Sequence, residues 1–163
     1  MLAVYGASCL RHASKWRHLR IAWRRAGINL CSTWIDDKRI ENEAHVTPLA
    51  FAGAWIQNAK ELDQAAALVV YAELDDVLRG AIFEAGYVIG QGKPVILVGR
   101  NTGFSSWQYH PLVHTAVNTN AARTTLETWL GREPNAIVEA SPGVSQDVVH
   151  SEVPGTVEPP TAA

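Results

Sequence analysis

Apolar and polar positions along this chain switch between two periods, and the switches predict the elements. Residues 2–7, LAVYGA, form a short apolar run with the strand formers Val4 and Tyr5, so a buried first strand is predicted there. Gly6, Ala7 and Ser8 then turn the chain. Across 12–26, Trp16, Leu19, Ala22, Trp23 and Ala26 recur at helical spacing between Arg and Lys, and Gly27 is a natural stop. Residues 28–35, INLCSTWI, read as a second strand running into Asp36 and Asp37. Residues 37–46 are polar and aperiodic, which predicts a loop. Thr47 as cap and Pro48 in the first turn open the next helix, with Ala52, Trp55, Ile56, Ala59 and Leu62 as its apolar stripe.

Residues 67–71 are almost wholly apolar and predict a third strand. Residues 78–90 predict a helix with a core face of Leu78, Ala81, Ile82, Ala85 and Ile89, closed by Gly92. A fourth strand follows at 94–98, a loop at 100–109 and a short fifth strand within 111–117. The last helix, 120–130, makes its apolar contacts through Leu126, Trp129 and Leu130.

Strands alternating with helices imply a parallel sheet covered on both faces, and continuously apolar strands agree with burial on both sides. The expected class is α/β: a three-layer flavodoxin-like or Rossmann-like parallel sheet of four to five strands. Residues 1–132 are expected to form that domain. Residues 133–163, rich in Pro, Ser, Val and Glu, are expected to be an extended, disordered tail. Ligands of such sheets bind at the carboxyl ends of the strands. The turns after Tyr5, Trp34, Tyr71 and Val98 are therefore the places to look.

Composition narrows the partners. A net charge of −2 over 163 residues demands neither nucleic acid nor an anionic membrane. Arg11, Lys15, Arg17, Arg20, Arg24 and Arg25 crowd one early segment, either as a solvated helix face or as an attraction for an anion. The cysteines Cys9 and Cys31 form no CxxC pattern, so a reducing, cytoplasmic setting is expected. No apolar stretch reaches the ~18 residues of a membrane helix.

The candidate chemistry lies between Tyr71 and Val98. The turn after the third strand carries Glu73, Asp75 and Asp76. Gly80 and Glu84 lie one helical turn apart on a face flanking the core stripe. Without a side chain at Gly80, a ligand can approach the backbone above Glu84, close to the positive end of the helix. A carboxylate so placed suits nucleophilic attack on an anomeric carbon, with Asp76 or Asp75 assisting the leaving base. A plain solvated helix glutamate is the alternative.

The series Asp76, then Gly80-Ala81-Ile82-Phe83-Glu84-Ala85-Gly86-Tyr87, then Gly92-Lys93-Pro94-Val95, resembles the nucleoside 2-deoxyribosyltransferase family. Val4-Tyr5-Gly6-Ala7-Ser8 is similar to that family's first strand, and the resemblance spans roughly residues 2–99. It implies a flavodoxin-like fold and a retaining mechanism. Glu84 would be the nucleophile, Tyr5 would orient it, and Asp75 and Asp76 would meet sugar or base. It also implies a small nucleoside or nucleotide substrate and a homo-oligomer. Two departures stand out. Ala66 and Ala67 occupy a place where the family often has aspartate, and the acidic turn is longer than usual.

A related branch acts on 5′-monophosphates, and Ser8 and Arg11 are placed to hold a phosphate in that case. A non-catalytic nucleotide-binding module of the same fold is the other alternative. Trp34 and Asp36 are candidates to line the base pocket, and Trp107, Tyr109 and His110 to form a lid. His110 and His114 have Pro111 between them and no third clustered ligand, so no metal is expected. There is no P-loop and no dinucleotide fingerprint, so no cofactor is expected either.

Overall fold

The computed structural model describes residues 1–37 and 47–131. The tail predicted at 133–163, and the predicted loop beyond Asp37, lie outside the described residues. Five strands, β1 (Leu2–Ala7), β2 (Ile28–Leu30), β3 (Ala67–Ala72), β4 (Val95–Gly99) and β5 (Val113–Ala116), form one sheet in the order β2-β1-β3-β4-β5. Every pairing is parallel. The expected flavodoxin-like α/β fold is thus present. Strands β1, β3 and β4 run almost wholly buried, because helices cover both faces.

Those helices are α1 (Ala13–Arg25), α2 (Pro48–Gln64), α3 (Arg79–Gly90) and α4 (Thr119–Leu130). On one face, Trp16 of α1 lies against Gly6, where an added Cβ would stand 2.9 Å from the indole ring. On the other, Trp55 of α2 meets Phe83 of α3 edge to face. Thr47 caps α2 by accepting from Ala50 N, and Asn118 caps α4 by accepting from Ala121 N. Gly99 ends β4 with φ of 96°, and a Cβ there would lie 2.1 Å from Ala72 O. Only glycine fits that junction.

Three expectations need correction. The second strand stops at Leu30, not at residue 35. Ser32 Oγ accepts Gly6 N, Glu61 takes the N–H and hydroxyl of Thr33, and the chain winds into a 3₁₀ turn, Thr33–Asp36. In α2 the expected stripe is rotated. Ile56 is 59% exposed, whereas Asn58 is partly buried and Glu61 is buried. In α3, Ile82 is 43% exposed and the buried line is Ala81, Glu84, Ala85 and Val88. Glu84 therefore belongs to the core-facing line itself instead of flanking it.

Candidate active site

The chain leaves β1 toward β2 on one side and returns to β3 on the other, so strand order reverses between β1 and β3. The crevice such a reversal opens lies at the carboxyl ends of these strands. Its lining comes from the turn after β1 (Ser8, Cys9, Leu10), from Trp34, from α2 (Phe51, Ala54, Trp55, Asn58) and from the start of α3 (Leu78, Arg79, Gly80, Glu84). Its volume is about 350 Å³.

Glu84 is its carboxylate and is 6% exposed. Tyr5, pointing from β1 toward the α2/α3 face, donates its hydroxyl to Glu84 Oε1 at 2.9 Å. Asn58 Nδ2 donates to the same oxygen at 3.2 Å. Oε2 receives no hydrogen bond from the described residues. Burial pushes the Glu84 carboxyl up to about 7, against the two hydrogen bonds, which favour its charged form. The Tyr5 hydroxyl is pushed far above its ordinary value, first by burial and then by the neighbouring carboxylate. It is therefore a permanent donor at any working pH.

Glu61 forms a second buried carboxylate nearby. It accepts from Thr33 N at 3.0 Å, Thr33 Oγ1 at 2.5 Å and Gln57 Nε2 at 2.7 Å. This fastens α2 to the turn that carries Trp34. The Trp34 indole N–H in turn donates to Gly6 O at 2.8 Å, which fixes one wall of the crevice.

The acidic turn after β3 is organised differently. Asp76 has a side chain only 1% exposed and does not line the crevice. Its Oδ2 takes the N–H of Glu73 at 2.7 Å and lies 2.8 Å from His12 Nε2, while Arg11 Nη2 stands 2.7 Å from Oδ1. Burial pushes this carboxyl up, but the Glu73 N–H and His12 outweigh it, so it lies below its ordinary value. Asp75 is also held low, by the Arg11 guanidinium, which it pairs with at 2.7 Å. Asn101 staples the turn to the segment after β4 by donating to Glu73 O and Asp76 O.

No family model and no curated protein matches the sequence. Solved structures do match. One is the CMP N-glycosidase BcmB of Clostridium botulinum, at a TM-score of 0.50 and 13% identity, covering 78% of this chain and 98% of that one. At that identity the likeness establishes a shared fold.

The structure brings Glu84, Gly80, Ser8 and Trp34 together around one crevice, with Tyr5 buried behind Glu84, and leaves Asp75, Asp76, Arg11 and Asp36 outside it. Gly80 stands where a Cβ would meet the Trp55 ring at 3.8 Å, an ordinary contact, so packing alone does not demand glycine there. Ser8 Oγ already donates to Cys9 O and accepts from Trp16 Nε1. Arg11 is engaged by three carboxylates, Asp75, Asp76 and, at 3.8 Å, Glu73. Asp36 pairs with Arg20 and Arg17 of α1. Of the residues expected to form a lid, Trp107 donates to Gly103 O and packs edge to face on the buried Phe104, while Tyr109 and His110 are exposed.

Sequence reasoning missed Asn58 and Glu61. The available signal was polar residues in line with Phe51, Ala54 and Leu62 on one helical face. Among the described residues no three His, Cys, Asp or Glu side chains converge as metal ligands would, and no helix is long and apolar enough to cross a membrane.

Proposed function

We propose that this protein cleaves the N-glycosidic bond of a nucleoside or nucleotide, with Glu84 as nucleophile. The observation that carries this reading is the state of Glu84. It is a buried carboxylate at the strand-order switch, with Tyr5 and Asn58 both bonded to Oε1 and Oε2 left without a hydrogen bond among the described residues. Such an arrangement fixes the carboxylate plane and presents one oxygen to an anomeric carbon. The apolar walls of Leu10, Phe51, Trp34 and Trp55 suit a flat base.

Attack by Oε2 on C1′ gives a glycosyl ester of Glu84 and frees the base. Water then completes a hydrolysis, or a second base completes a transfer. Asp76 and Asp75 serve as the clamp of the crevice rim, not as its acid. The N-glycosidase activity in the name of BcmB, a protein of the same fold, agrees with this reading. The resemblance to 2-deoxyribosyltransferases makes transfer between bases the second outcome to look for. A chromatographic panel of nucleosides, deoxynucleosides and their 5′-monophosphates, with and without an acceptor base, tests it. Base release by the wild type and its loss in Glu84→Gln support the reading. Silence of the wild type across the panel ends it.

A further inference from the structure

We propose that the substrate is an N-glycoside whose base already carries a positive charge, a pyridinium or an N-alkylated purine, so that the base departs as a neutral molecule. The inference rests on Glu84 being the nucleophile, as argued above.

An uncharged nucleoside base leaves with the electron pair of the C1′–N bond and becomes an anion unless an acid protonates it. The acidic turn does not offer that proton. Asp76 is ionised and lies outside the crevice, with Oδ2 held by Glu73 N–H and His12 and Oδ1 ion-paired with Arg11 without a hydrogen bond. Asp75 is ionised and paired with Arg11 at the surface. The remaining donors on the described walls point elsewhere. Ser8 donates to Cys9 O, the Cys9 thiol to Val77 O, and Asn58 to Glu84. Arg79 stands exposed at the rim.

What the crevice does offer is suited to a cation. Trp34, Trp55 and Phe51 present aromatic surface around a buried carboxylate. Aromatic faces attract a positive charge, most strongly where water is excluded. A cationic base entering here also gives Glu84 the partner its burial lacks, and so favours the ionised form that attacks.

The step balances without an acid. Glu84 Oε2 forms a bond to C1′ as the C1′–N bond breaks, and its electron pair neutralises the base. A cation and an anion become two neutral species. Water then attacks C1′, the ester pair returns to Glu84, and the proton of the water goes to solvent.

The test uses the full 163-residue chain at pH 7. Base release is followed from nicotinamide riboside and 7-methylguanosine, and from the uncharged uridine and guanosine. The expected result is a kcat/KM at least 100-fold higher for 7-methylguanosine than for guanosine and for nicotinamide riboside than for uridine, lost in Glu84→Gln. A smaller ratio, with the uncharged nucleosides turned over through Glu84, overturns this inference and leaves the N-glycosidase reading standing. No release from any of the four, or from their 5′-monophosphates, overturns both.

Discussion

The Tyr5 hydroxyl donates to Glu84 Oε1 at 2.9 Å, joining the first strand to the third helix across 79 positions of sequence. This bond holds the Glu84 carboxyl lower than burial alone would set it. Tyr5→Phe removes the bond without changing the shape of the core. The Glu84 carboxyl then rises, its ionised fraction at pH 7 falls, and the lower limb of the pH–rate profile moves up. A shift of about one unit is expected, which is about fivefold in rate at pH 7, approaching tenfold at lower pH, with convergence toward wild type near pH 9. A pH–rate profile of both proteins measures it.

Glu84 should also be a stability cost at neutral pH. Its folded value, about 7, lies above the ordinary 4.5, so the native state holds a proton the unfolded chain gives up. The resulting stabilisation is full below pH 4.5 and is lost as pH rises through 7. The loss is on the order of 3 kcal/mol for a shift of this size. Glu84→Gln should therefore be inactive, yet unfold at higher urea than wild type at pH 8, with the difference shrinking at pH 4.5. Equilibrium urea denaturation at the two values checks the sign.

Asn58 holds the same oxygen from α2 at 3.2 Å. Asn58→Ala removes the second donor, and a loss of kcat of about tenfold is expected with little change in Tm. Asn58→Asp adds a like charge beside Glu84 and should push its titration up further than Asn58→Ala does. Carbon-detected NMR titration of the Glu84 carboxyl distinguishes the two variants.

Asp76 and Asp75 should part company when mutated. Asp76→Ala leaves Glu73 N–H and His12 without their buried partner, which costs about 2–3 kcal/mol. The stabilisation belongs to the ionised form, so it is present above the ordinary aspartate range and is lost as pH falls through the lowered folded value. Asp75 is exposed, and Asp75→Ala should leave the unfolding midpoint unchanged. Thermal unfolding of both variants at pH 7 and pH 4 tests this pair.

The sheet was legible because its strands are apolar on both sides and its helices alternate with them, which leaves few arrangements. Tyr5 and Glu84 were legible as a pair through the resemblance of the segments around them, with no contact visible in either segment alone. What the pattern hid has one physical cause. Polar residues occupy inward positions around this crevice. Asn58 and Glu61 on α2, and Glu84 on α3, face the interior, so a reading by hydrophobicity turns both helices toward Ile56 and Ile82, which the structure leaves exposed. The same misreading extended β2, since Ser32 takes the Gly6 N–H of β1 with its side chain and Thr33 gives its N–H to Glu61, instead of both continuing the backbone ladder. Arg11 and Asp36 look like ligand contacts in sequence, but each is engaged by ions from a distant segment, information that a one-dimensional pattern does not hold.

The most direct test of the central claim is mass spectrometry of the protein quenched during turnover. A 2′-fluorinated nucleoside slows hydrolysis of the glycosyl ester and allows it to accumulate. The account predicts a mass increase equal to one fluorinated sugar residue, mapped by peptide fragmentation to Glu84 and absent in Glu84→Gln. Steady base release with no sugar on Glu84, or a sugar carried by another residue, contradicts it.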